Sequence, residues 1–169
     1  KVITAHCPNT GSMRGLLKAN NKVWLSKSNN PKRKLKYTLQ IIEDNGSKVG
    51  VNTHLTNKIV FHGLNNSLIK EFDKSITIKP EVKFGINTRF DFLITKKNFK
   101  AFVEVKNVTL SRKSKIAEFP DAITSRGAKH IAELIKANKK GYEIYIIFIV
   151  QREDCNQFTI ANDIDPEYS

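Results

Sequence analysis

Asp91, Glu104 and Lys106 are the residues whose types and spacing could do phosphoryl chemistry, and all three lie in the stretch TRFDFLITKKNFKAFVEVKNVTL at 88–110. The stretch predicts two antiparallel strands turning at Lys97 and Asn98, which sets Asp91 opposite Glu104 and Arg89 opposite Lys106 on one face. Phe90, Phe92, Ile94, Ala101, Val103 and Val105 then fill the other face, wholly apolar as a strand pair packed on a core requires. On the polar face two carboxylates stand roughly 5 Å apart at their β-carbons, a like-charge pair that destabilises a sheet unless a cation lies between them. A divalent metal is the economical candidate. Asp91 and Glu104, with the Val105 carbonyl, would offer hard oxygen ligands to Mg²⁺ or Mn²⁺. Lys106 would orient an attacking water or steady developing charge. The competing account is a surface ion network in which Arg89 and Lys106 merely neutralise the acids.

The elements around this pair must position it. Apolar spacing over 55–72 (Leu55, Ile59, Val60, Leu64, Leu68, Ile69, Phe72) predicts helix with a break at 63–66, and 75–83 predicts a strand. Residues 111–118 read as a polar connector. Pro120 suits the first turn of a helix and Asp121 favours the same end through the helix dipole. That helix is expected to run to about 140 and stop at Gly141, with Ile123, Gly127, Ile131, Leu134 and Ile135 as its buried stripe. Gly127 would allow close packing on the sheet. Arg126, Lys129 and His130 would face a bound nucleic-acid strand, against the plain alternative of a solvated helix face. The apolar run at 142–150 predicts a central strand covered on both sides. Helix, three-stranded meander, helix, strand gives an αβββαβ domain with a mixed sheet over 54–169, so the class is α+β to α/β.

Residues 1–53 read instead as short strands and basic loops, a partial oligonucleotide-binding (OB) type β-barrel. Strands are expected at 2–5, 22–27, 37–43 and 48–52, with a primed turn at Asn45 and Gly46. The loop at 27–36 carries Lys32, Arg33 and Lys34, which would contact phosphates or else form a solvated loop. In the loop at 6–13, Asn9 to Ser12 would present backbone N–H groups to a phosphate with Arg14 nearby, or form a structural turn; Cys7 is expected to be buried. Trp24 and Tyr37 are expected to pack at the core or its rim rather than stack on bases. The net charge of +13, from 29 basic and 16 acidic residues among 169, points to a polyanion such as nucleic acid, with an anionic membrane surface or simple solubility as alternatives. The longest apolar run is too short to cross a bilayer, so no membrane role is expected. Two distant cysteines fit a reducing, cytoplasmic setting, and no small-molecule cofactor is expected. A chain that opens without methionine suggests truncation at its start.

The blocks HCPNTGSM (6–13), RFDFL (89–93), VEVKNVTL (103–110) and FPDAITSRGAKH (119–130) resemble the SfsA family, the sugar fermentation stimulation proteins. The resemblance implies an N-terminal OB-type barrel joined to a PD-(D/E)XK nuclease-like domain. It also implies DNA binding, and an association with regulation of sugar (maltose) metabolism in bacteria. Carried over by motif, Asp91, Glu104 and Lys106 occupy the nuclease-core positions. Phe90 stands where the superfamily motif has proline, and Pro120 with Asp121 follows the Glu-x-Lys and therefore reads as a helix start. Against the family, the chain is expected to lack the beginning of the barrel and a segment after Ser169. Three functions compete: a DNA-binding regulator whose site is idle, an active Mg²⁺-dependent endonuclease, and a domain whose basic surface serves solubility or a protein partner.

Overall fold

The computed structural model describes residues 2–72 and 75–169. The N-terminal part of the chain is built on β1 (Ala5–His6), β2 (Val23–Lys27), β3 (Tyr37–Asp44) and β4 (Ser47–Gly50). Strand β3 is the hub, antiparallel to β2 and β4 and parallel to β1. The β3–β4 turn has φ of 50° at Asn45 and 83° at Gly46, the positive pair a primed hairpin needs. Met13, Leu16, Ile42, Val49 and Val51 form the core here. The expected strand at 2–5 shrinks to two residues, because Val2 is 97% exposed and has no sheet to pack on.

Helix α1 (Thr53–Asn65) starts at Asn52, whose side chain accepts from the His54 N–H. It ends where the break was expected, but among the described residues no second helix follows: Leu68, Ile69 and Phe72 lie in irregular chain with bends. Its buried face is Thr56, Val60 and Leu64: Val60 and Leu64 of the expected stripe are buried and Thr56 joins them, while Leu55 and Ile59 are left 40% and 48% exposed.

The second sheet has the order β10-β7-β6-β5, from β5 (Thr77–Phe84), β6 (Thr88–Lys96), β7 (Phe99–Val108) and β10 (Glu143–Val150). Strand β10 runs parallel to β7 while the other pairs are antiparallel, so the sheet is mixed. The β6–β7 register, Phe92 to Val103 and Ile94 to Ala101, is the expected one. Both faces of the sheet are covered. On one, Val60 and Leu64 of α1 pack on Phe92, Ile94, Ala101, Val103 and Val105. On the other, Leu134 and Ala137 of α2 (Ser125–Lys139) pack on Phe90 and Phe102. Phe90 therefore leaves the face assigned to it, and the supposed polar face is largely a second core. Strand β10 is an edge rather than a centre; its unbroken apolar run reflects Ile144 and Ile146 packing on one side and Tyr145, Ile147 and Ile149 on the other.

Three elements differ from expectation further along. The connector at 111–118 is a hairpin, β8 (Leu110–Lys113) and β9 (Ile116–Phe119), extended by β11 (Gln157–Ile160) parallel to β9. Helix α2 begins five residues after Pro120, with Thr124 Oγ1 accepting from Gly127 N–H. Asp121 serves not that helix but the barrel loop, accepting from Ser12 Oγ and Met13 N–H. Ile123 and Ile135 fall outside the buried stripe at 79% and 47% exposure. Gly127 faces Tyr168 rather than the sheet: a β-carbon there would sit 2.7 Å from Thr124 Cγ2 and 2.9 Å from the Tyr168 ring. Gly141, at φ 87°, closes the helix as expected.

The two sheets are joined directly. Gly50 N–H donates to the Gln151 carbonyl at 2.8 Å, Val49 bridges to Arg152, and Arg152 reaches Asp44 at 3.1 Å.

Candidate functional site

The sheet opens at Asp91. In β5 the register passes from Pro80 opposite Phe92 to Val82 opposite Phe90, and the skipped Glu81 sits at φ 53°. On the other flank the β6–β7 ladder begins only at Phe92 and Val103, so Asp91 has no ladder partner on either side. Its carboxylate replaces one. Oδ2 accepts the Val105 N–H at 2.7 Å, and Oδ1 accepts from Asn57 Nδ2 of α1, also at 2.7 Å. Asp91 and Glu104 thus do not face each other as a laddered pair, though they are close enough for the Glu104 charge to act on Asp91.

Glu104, 4% exposed, points toward α2. Its Oε1 is held by Lys106 Nζ at 2.8 Å and His130 Nδ1 at 2.7 Å. Its Oε2 is buried and has no hydrogen-bond partner among the described residues. Burial and then the Glu104 charge push the Asp91 carboxyl above the ordinary aspartate value, against the Val105, Asn57 and Lys106 contributions. For Glu104, burial is the largest single influence and pushes up, but His130 and Lys106 together outweigh it and hold the group below its ordinary value. Arg89 takes no part, lying 3.8 Å from Glu81 with both side chains more than half exposed. Of the two cations in the ion-network account, Lys106 reaches an acid of the pair, Glu104, while Arg89 reaches only Glu81 among the described residues.

These groups line a cleft of about 580 Å³ walled by the barrel loop at 8–11, the start of α1, strand β7 and α2. Arg126 and His130 are on its wall; Lys129 and Arg14 are not among the lining residues. Lys32 and Lys34 are exposed on the barrel loop, while Arg33 turns into a separate cavity. The loop at 9–12 is a structural turn at Gly11, whose N–H is taken by Asn9 Oδ1 at 2.8 Å, and the neighbouring Met13 N–H goes to Asp121. Cys7 is exposed, contrary to expectation, because Pro8 and Met13 supply the buried positions in that loop. Trp24 and Tyr37 are both half-buried.

Sequence reasoning missed Asn57, and it missed a second layer behind Lys106. Thr56 Oγ1 donates to Asn107 Oδ1 at 3.1 Å, and Gln151 Nε2 donates to both Thr56 Oγ1 and Asn107 Oδ1. Thr56 at a buried helix position was the one available signal, since a buried hydroxyl must find a partner.

Residues 54–169 match the model of the sugar fermentation stimulation protein RE domain, and residues 1–51 match that of the SfsA N-terminal OB domain. The chain belongs to the SfsA family. A sugar fermentation stimulation protein homologue from Pelagibacter ubique is 60% identical over 99% of this chain and 72% of its own length. One from Brucella anthropi is 46% identical over all of this chain and 73% of its own length. Among solved structures, SfsA from Pyrococcus furiosus in complex with Ca²⁺ aligns with a TM-score of 0.87 at 29% identity, covering 96% of this chain and 69% of that one.

The donor set fits a hard divalent cation. Two carboxylates lie within electrostatic reach of each other here, one with an unpartnered buried oxygen. Among the described residues no cluster of three or more His, Cys, Asp or Glu could hold a metal. Two protein carboxylates completed by water and substrate oxygens is the pattern of a cation such as Mg²⁺, and is not one that holds a soft metal.

Proposed function

We propose that this SfsA-family protein binds DNA in the cleft and along the barrel, with Asp91 and Glu104 holding Mg²⁺ or Mn²⁺ beside it. One observation carries the reading: Glu104 Oε2 is buried and unpartnered while Oε1 is doubly held. An unpaired buried polar atom costs about 1–3 kcal/mol, more when charged, so a site that keeps one is built for a missing partner. The Ca²⁺ bound by the Pyrococcus furiosus relative supports a hard cation, and the +13 charge supports a polyanion. In this reading Arg126 steers a phosphate along the α2 wall, and Asn57 and His130 hold the two carboxylates in place. A part in regulating sugar metabolism follows the family's name, a cytoplasmic place follows the two distant cysteines, and both belong to the same proposal. In keeping with it, no helix among the described residues is long and apolar enough to cross a membrane.

Lys106 favours a second reading, hydrolysis of the bound phosphodiester. Its ammonium lies 2.8 Å from Glu104 Oε1 and is only 15% exposed, so it meets the substrate already oriented. There it can donate to a phosphoryl oxygen as charge develops, or fix the attacking water. A bound divalent cation supplies Lewis-acid polarisation of the phosphoryl group and activation of water. The test separates binding from cleavage: DNA with Mg²⁺ or Mn²⁺ is incubated with the unchanged chain and with Asp91→Asn, Glu104→Gln and Lys106→Met. Cleavage lost in all three with binding kept supports hydrolysis; no cleavage by any form leaves the binding reading alone. Absent or salt-insensitive binding refutes both.

A further inference from the structure

We infer that a second anion subsite, taking one phosphodiester of the bound strand, lies on the barrel between the β1–β3–β2 sheet and the N-terminus of α1. It rests on the DNA reading above and extends it away from the metal-capable pair. A cavity of about 570 Å³ opens there, and His6, Ser26, Arg33, Thr38, His54 and Lys58 line it with Gln40, Asn52 and Leu55. Among the described residues, no carboxylate lines it. Among the described residues, neither Arg33 nor Lys58 has an acidic partner within salt-bridge distance.

The floor is built from paired strands. His6 and Ser26 are both opposite Thr38, so the three side chains form a row across β1, β3 and β2. Thr38 is 6% exposed and its Oγ1 is buried without a partner among the described residues. The groups beside it are already satisfied: Gln40 Nε2 donates to Ser26 Oγ and Gln40 Oε1 accepts from Asn52 Nδ2, both at 2.8 Å. An unmet hydroxyl on a residue that lines a cationic cavity suits a phosphoryl oxygen, to which it can donate once the ligand is seated. The roof adds to this. Helix α1 has 13 residues and no acid in its first turn, so its positive end is uncompensated. His54 and Lys58, four apart, share the helix face over the cavity. Trp24 and Tyr37 do not line it, which favours phosphate over a stacked base. His54 also lines the cleft, so a strand leaving Asp91 along α1 comes to this cavity next.

The test uses the full chain and a fluorescently labelled oligonucleotide, with anisotropy read across a salt titration and folding checked by thermal melting. Arg33→Gln combined with Lys58→Gln should weaken binding roughly tenfold and reduce the slope of log affinity against log salt by about 0.7–0.9, the value of one phosphate. Lys32→Gln combined with Lys34→Gln removes equal charge near the same cavity and should do distinctly less. Thr38→Val, close in shape, should weaken binding severalfold with the slope unchanged. The inference is overturned if the cavity pair matches the loop pair, or if Thr38→Val binds like the unchanged chain. Should the unchanged chain bind no DNA, the cleft reading fails by itself, and inorganic phosphate decides the subsite. Phosphate-dependent shifts of the His6 and His54 ring resonances, abolished by Arg33→Gln with Lys58→Gln, would keep it as a site for a free anion; their absence would remove it.

Discussion

Asp91 and Glu104 share one burial problem unequally. Hydrogen bonds from Lys106 and His130 keep Glu104 ionised, whereas Asp91 carries the cost and has its carboxyl raised. A carboxyl raised on folding binds its proton more tightly in the native chain, so ionising it opposes folding as pH climbs from the ordinary aspartate value through the raised one. A cation at the pair should cancel that opposition near neutral pH. At tenfold excess over its dissociation constant Mg²⁺ should add about 1.4 kcal/mol, by RT ln(1 + [L]/Kd). For a chain of this size that is roughly 3–5 °C in Tm. Asp91→Asn should lose the response, and calorimetry with Mg²⁺ and then with chelator reads both. Asp163 has the opposite sign: Arg112 holds its carboxyl down at about 2. Its contribution is present above the ordinary aspartate range and is lost as pH falls toward 2, so Asp163→Asn should flatten the acid limb of urea midpoints measured from pH 5 to 2. Strand alternation and a turn were enough to single out Asp91, Glu104 and Lys106 as candidates, but not their arrangement: Phe90 turns to the α2 side and Asp91 and Glu104 are not ladder partners. Asn57 was not legible, because its partner is set by how α1 docks on the sheet.

At the scale of elements, the hairpin register could be read from its turn and its apolar alternation, whereas the start of α2 could not. Pro120 and Asp121 carry helix-start chemistry, but Asp121 is committed to the Ser12 and Met13 groups of the barrel loop, and Thr124 caps instead. The β8–β9 hairpin was hidden for a related reason. Glu118 is buried but Arg112, its ion-pair partner, is exposed, so a strand held by that pair read as polar connector. The glycine of α2 was noticed and its neighbour misjudged: Tyr168, some forty residues on, occupies the space a β-carbon would take. Gly127→Ala should gain about 1 kcal/mol in helix propensity and lose about 1–3 kcal/mol to overpacking. The variant should therefore be less stable in urea titration; a more stable one would mean that Tyr168 yields easily.

The whole molecule depends on how firmly barrel and mixed sheet are joined, and that junction was invisible in the sequence. Charge and patterning separated an N-terminal barrel from a mixed-sheet domain, but nothing marked Arg152 as their link. Its guanidinium, with 4% side-chain exposure, binds Asp44 of β3, Asp154 and the Thr109 carbonyl. Removing one member of a buried pair strands the other, at a cost of about 3–5 kcal/mol. Lys18 at 3.3 Å still offers Asp44 partial cover, so Arg152→Leu should cost about 3 kcal/mol, near the lower end. Its unfolding should also split into two steps, seen as fluorescence of Trp24 in the barrel parting from the loss of helix in the other domain.

The Val105 amide ends in a carboxylate where its neighbours along the strand end in peptide carbonyls. Its exchange with deuterated solvent therefore follows how Asp91 is engaged. A cation that draws the carboxylate away from the amide would leave the Val103 signal untouched and quicken that of Val105. One backbone position thus reports occupancy of the pair without any turnover, and the same bond explains why Asp91→Ala is the wrong silent variant: it leaves a strand amide without its acceptor.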